Sequence, residues 1–81
     1  MMKSYPTFFY FLNTIADDTP DDAFEYFMSF ESDEKKKALI DEAAKAKHED
    51  VYELSNFIRR QYRLNIRSKT LSYIIGMITG K

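Results

Sequence analysis

Cysteine is absent from this 81-residue sequence, which excludes disulfides, thiolate chemistry and cysteine-ligated zinc together. Glycine and proline are scarce, with two of each. No Asn-Gly or Asp-Gly pair occurs, so tight hairpins lack their usual signal. Long apolar runs are also missing. The run at 8–12 is interrupted by Asn13 and Thr14 and leads to Asp17 and Asp18 rather than to a small-residue cleavage pattern, unlike an export signal. The run at 71–78 is broken by Ser72, Tyr73 and Gly76 and falls well short of the roughly 20 residues that span a bilayer. These features set the expectation of a soluble, cytoplasmic chain with no membrane insertion.

Catalytic signatures are missing as well. The sequence holds no glycine-rich phosphate loop, no nucleophile motif and no calcium loop. The single histidine, His48, sits beside Glu49 and Asp50, the setting of a solvated connector. The acid pairs Asp17/Asp18, Asp21/Asp22 and Glu49/Asp50 fall at expected helix starts, where the helix dipole favours negative charge. No enzymatic activity, metal or cofactor is expected.

One further absence points somewhere. No acid follows Glu53. Residues 1–54 hold all thirteen Asp and Glu against six Lys, a net of −7, whereas 55–81 hold Arg59, Arg60, Arg63, Arg67, Lys69 and Lys81, a net of +6. The overall charge of −1 therefore conceals a strong asymmetry, and charged surfaces choose and steer partners.

What the chain does contain is helical periodicity and thirteen aromatics, seven Phe and six Tyr. The length suits one domain, 1–81. Pro6 suits the first turn of a helix carrying Phe8, Leu12 and Ile15 at i, i+4, i+7. Thr19-Pro20-Asp21-Asp22 reads as a cap, a first-turn proline and two dipole-matched acids, opening a helix with Phe24, Phe27, Met28 and Phe30 available to the core. Ser32-Asp33-Glu34 starts a third helix to about Lys47, whose Lys35, Lys36, Asp41, Glu42 and Lys45 are available for i, i+4 pairs. Asp50 caps a fourth with Val51, Leu54, Ile58 and Tyr62 on one face and Phe57 beside them. Asn65 is the expected break, because Asn tolerates the left-handed conformation. Ser68 caps a fifth helix with Leu71, Ile74, Ile75 and Ile78 inward, and Gly80 ends it. The fold class is therefore all-α: a compact single domain of four or five short helices.

Two surfaces invite a function. Phe8–Phe9–Tyr10–Phe11 is denser than one helix face needs. Either neighbouring helices bury the first helix all round, or Phe9 and Tyr10 form an exposed patch for a homodimer or a partner, since aromatics are enriched at interface centres. Arg59, Arg63 and Arg67 align at i, i+4, i+8 if the fourth helix continues, with Arg60 alongside. These arginines either pair with the chain's own Asp22, Glu25 or Glu53, or bind an acidic protein surface through charge-assisted bonds.

Residues 60–75 resemble a helix-turn-helix, a family of DNA-binding motifs. Leu64 and Ile66 flank Asn65, Ser68 stands as a cap, Leu71 and Ile74 turn inward, and Ile66-Arg67-Ser68-Lys69-Thr70-Leu71-Ser72 is similar to the start of many recognition helices. The resemblance implies a second helix in the major groove, with Arg67, Lys69, Thr70 and Tyr73 at phosphates and base edges.

The leading expectation is a small non-catalytic intracellular regulator, an adaptor or inhibitor of the kind phages and mobile elements encode for host takeover or timing control. It would bind an acidic partner protein through Arg59, Arg60, Arg63 and Arg67 with Phe9 and Tyr10 as apolar anchors. DNA binding through 60–75 is the alternative. The oppositely charged halves also suit head-to-tail self-association.

Overall fold

Capping chemistry lays out five helices along the chain. The computed structural model describes residues 5–15 and 19–80; the breaker pair Asp17-Asp18 and the terminal cation Lys81 lie outside them. Helix α1 (Pro6–Thr14) has proline in its first turn but no side-chain cap from Tyr5. Its donor is satisfied from elsewhere: the Phe8 backbone N–H donates to Glu42 Oε1 at 2.9 Å. Helix α2 (Pro20–Phe30) begins at Thr19, whose side chain accepts from Asp22 N–H. Ser32 does the same for Lys35 N–H at the start of α3 (Asp33–Ala46). Asp50 opens α4 (Val51–Tyr62), its Oδ1 accepting from the N–H groups of Tyr52 and Glu53 at 2.9 and 3.3 Å. Each oxygen satisfies a donor that a helix start otherwise leaves unpaired. Helix α5 (Ser68–Thr79) ends at Gly80, whose φ of 79° is left-handed and natural for glycine.

Two boundaries differ from expectation. Helix α4 ends at Arg63, with φ 57° and ψ 30°, and not at Asn65. The reason is tertiary. The Ser55 hydroxyl donates to the Ile66 carbonyl at 2.6 Å, so the chain must turn back along α4 before it reaches residue 65. At the start of α5, Arg67 rather than Ser68 takes the capping position, and it makes no side-chain cap. Ser68 becomes the first helical residue.

The core joins all five helices. Phe8, Phe11, Leu39, Ala43, Leu54, Ile58, Leu71 and Ile74 are fully buried. Helix α3 packs against both α1 and α5, while α5 also meets α2 and α4. Among the described residues there is no strand and no buried charged side chain. The result is a globule of 30 × 25 × 23 Å, an all-α domain in which no described helix is long and apolar enough to cross a membrane.

Candidate arginine-flanked binding site

The early end of α4 decides where the arginines stand. Arg59 and Arg60 remain on the last turn of α4, Arg63 ends it in the left-handed conformation, and Arg67 starts α5. The i, i+4, i+8 alignment of Arg59, Arg63 and Arg67 therefore does not form. A different grouping does. The linker folds back so that Arg59 of α4 and Arg67 line one cleft of about 330 Å³, together with Tyr52, Ser55 and Asn56. Its second wall is residues 65–68, held in place by the Ser55–Ile66 hydrogen bond.

The electrostatics of this cleft are one-sided. Among the described residues no Asp or Glu lines it. None of Arg59, Arg60, Arg63 and Arg67 forms an ion pair among the described residues, where the ion pairs are Lys35–Glu31 at 3.6 Å and Lys36–Asp33 at 3.3 Å. Internal pairing with Asp22, Glu25 or Glu53 is thus absent. Arg59 spends one guanidinium donor on Asn56 Oδ1 at 2.7 Å, which orients the group and leaves its other N–H donors outward. Arg60 borders a second depression with Glu53, Asn56 and Arg59.

The same linker has an apolar flank. On its α1 side, Leu12, Ile15, Leu64, Ile66 and Ile74 border a cleft of about 490 Å³ that also touches Arg67 and Thr70. Arg67 thus belongs to both clefts. Tyr52, Ser55 and Asn56 escaped the sequence reading because only the turn at Arg63 brings the linker back over them. Their helical spacing with Arg59 (Tyr52, Ser55, Asn56 and Arg59 at i, i+3, i+4 and i+7) was a visible signal of one shared face.

The aromatic anchors divide. Phe9 is 2% exposed and is withdrawn from the partner surface. Its ring packs between Tyr5, Phe57 and Tyr62, with centroids 5.7, 6.0 and 4.6 Å away, so α4 covers it. Tyr10 is exposed, but it turns toward the other side of α1, where its hydroxyl donates to Glu31 at 3.4 Å and Lys35 Nζ lies 5.3 Å from its ring. Phe30, available to the core by spacing, is 72% exposed instead. Beside it, Tyr26 is another exposed aromatic that the sequence reading missed.

The helix-turn-helix residues also separate. Arg67, Lys69, Thr70 and Tyr73 are exposed, but the Tyr73 hydroxyl donates to Asp21 Oδ1 at 2.5 Å. That bond raises the phenol's pKa, with burial and the carboxylate's charge adding smaller contributions. Tyr73, one of the four, is therefore tied to the acidic start of α2. The connection between α4 and α5 spans residues 63–67, longer than the three or four residues usual in the motif. Of the four described residues in the acid pairs, three have structural partners: Asp50 caps α4, Asp21 holds Tyr73, and Glu49 accepts from the Tyr5 hydroxyl at 2.9 Å. No group of three metal-ligating side chains is found among the described residues.

Compared with known proteins, the chain matches no family model, no curated protein and no solved structure.

Proposed function

We propose that this protein is a non-catalytic binding module that grips an acidic segment of a partner protein at the linker between α4 and α5. The observation that carries this reading is the meeting of Arg59 and Arg67 in one cleft that no described carboxylate lines. Two guanidinium groups with free N–H donors match carboxylates in charge and in bidentate geometry. The apolar cleft on the far side of Arg67 would receive a neighbouring aliphatic side chain. The ligand class is then an Asp/Glu-rich segment containing one apolar anchor. A small regulator, adaptor or inhibitor in the cytoplasm would work in this way, holding a partner's acidic segment without transforming it. The Asp21–Tyr73 contact favours such a segment over DNA, whose phosphates would meet that carboxylate.

Amide chemical shifts of the isotope-labelled protein, followed during titration with an Asp/Glu-rich peptide carrying one leucine, test the site. Shifts centred on Tyr52, Ser55, Arg59 and residues 65–68 support the reading. Shifts centred on α2, or none at all, contradict it. A DNA duplex titrated in parallel that moves Lys69 and Thr70 would restore the helix-turn-helix alternative.

A further inference from the structure

The outward face of α2 is acidic and aromatic at once. Asp22, Tyr26 and Phe30 recur at i, i+4, i+8 and all are exposed. Tyr26 is 64% accessible, and its ring lies 4.6 Å from that of Phe30. Asp21 and Glu25 flank them, and α2 carries no cation. Burial in the core cannot explain this pair, because the core side of α2 is already supplied by Ala23 and Phe27.

Between α2 and α1, Tyr10 and Tyr26 border a pocket of about 180 Å³, with Ala23 and Phe27 beneath and Glu31 at its edge. Two aromatic rings and a carboxylate suit a guanidinium, a flat and weakly hydrated cation that stacks on rings while donating to oxygen. The chain's own Lys35 shows the attraction, lying 5.3 Å from the Tyr10 centroid and 3.6 Å from Glu31. Its side chain is 56% accessible, so this ammonium is only weakly held and an arginine can displace it.

Matching arginines stand on the oppositely charged half of the same chain. The side chains of Arg60 and Arg63 are exposed and form no ion pair or hydrogen bond among the described residues. Arg63 also keeps a left-handed position that glycine would occupy without strain, so its side chain has a reason to be there other than helix termination. We infer that a second copy of this chain docks the Arg60–Arg63 end of its α4 onto the α2 face of the first, seating a guanidinium among Tyr10, Tyr26 and Glu31. Donor and acceptor faces differ, so the contact is heterologous and runs head to tail. It uses Arg60 and Arg63, whereas the acidic-segment site uses Arg59 and Arg67, so the two readings can fail separately.

Sedimentation of the full chain at about 50 and about 500 mM salt tests this, because screening weakens exposed charge pairs at the higher value. At low salt the weight-average mass is at least twice that of the monomer, and it returns to the monomer at high salt. Tyr26→Ser/Phe30→Ser, which alters only exposed side chains, is monomeric in both and still binds the acidic peptide. Arg60→Glu/Arg63→Glu and Asp22→Lys/Glu25→Lys are each monomeric alone and associate when mixed, which separates loss of contact from loss of fold. A wild-type chain that stays monomeric at low salt overturns the inference. So does association that survives both the α2 and the α4 changes, or a mixture of the two charge-reversed variants that fails to associate.

Discussion

Glu42 accepts a hydrogen bond from the backbone N–H of Phe8 at 2.9 Å, so the first helix is capped by a carboxylate 34 positions further along the chain. Helix α1 has no cap of its own, and α3 supplies one while packing against it. This contact ties a local need of the backbone to the assembly of the core. Glu42→Ala should cost about 1 kcal/mol in urea unfolding, the typical value of a lost cap. Glu42→Gln keeps the acceptor oxygen and should lose less. Equal losses in the two variants would show that charge rather than capping is at work.

The Tyr5 hydroxyl donates to Glu49 Oε2 at 2.9 Å. Burial, and then the carboxylate's hydrogen bond and charge, raise this phenol above its ordinary 10.0. The fold therefore favours the neutral phenol. Its contribution is fully present below pH 10.0 and is lost as the pH rises through the higher folded value. Tyr5→Phe should be less stable than wild type at neutral pH, and the gap should close in strongly alkaline solution. Parallel stability curves across that range would contradict the assignment.

Arg63 ends α4 in the left-handed conformation at φ 57°, which costs an L-residue about 1–2 kcal/mol relative to glycine's freedom. Arg63→Gly should raise the unfolding free energy by about 1 kcal/mol, whereas Arg63→Val should lower it, because branching at Cβ worsens the clash. If glycine destabilises the protein, the Arg63 side chain contributes packing that outweighs its backbone strain.

Three helix starts were legible in the sequence because their caps are local, whereas the cap expected of Ser68 did not form. Thr19, Ser32 and Asp50 each cap the helix that follows them, as their spacing indicates. The inward stripe of α5 was equally plain, and Leu71, Ile74, Ile75 and Ile78 are all buried. What escaped was non-local. Glu42 looked like one member of an i, i+4 pair, but it faces the end of α1. Asn65 has the better left-handed propensity, yet the Ser55–Ile66 bond requires the turn two residues earlier. Phe9 and Tyr10 are neighbours in sequence but lie on opposite flanks of α1, so no periodicity rule could join both to the arginines. Tyr26 and Phe30 carried a usable signal in their i, i+4 spacing with Asp22, a second face of α2 beyond the one the core needs.

Ser55 links the fold to the proposed site. Its hydroxyl holds the linker at 2.6 Å from the Ile66 carbonyl, and that linker carries Arg67. Ser55→Ala should cost about 1 kcal/mol in stability, the usual net value of one hydrogen bond. It should also weaken acidic-peptide binding by loosening Arg67 relative to Arg59, without removing any charge. Unchanged affinity in a destabilised variant would separate the linker's anchoring from recognition.

The most direct measurement is the affinity of a fluorescent Asp/Glu-rich peptide with one leucine for the wild-type chain and for Arg59→Glu/Arg67→Glu. Anisotropy would be read at about 50 and about 200 mM salt, where screening differs appreciably. The account predicts binding to the wild type that weakens with salt, and a loss of at least about tenfold in the variant, equivalent to about 1.4 kcal/mol. Equal binding by both proteins, or no binding to the wild type at the lower salt, would contradict it.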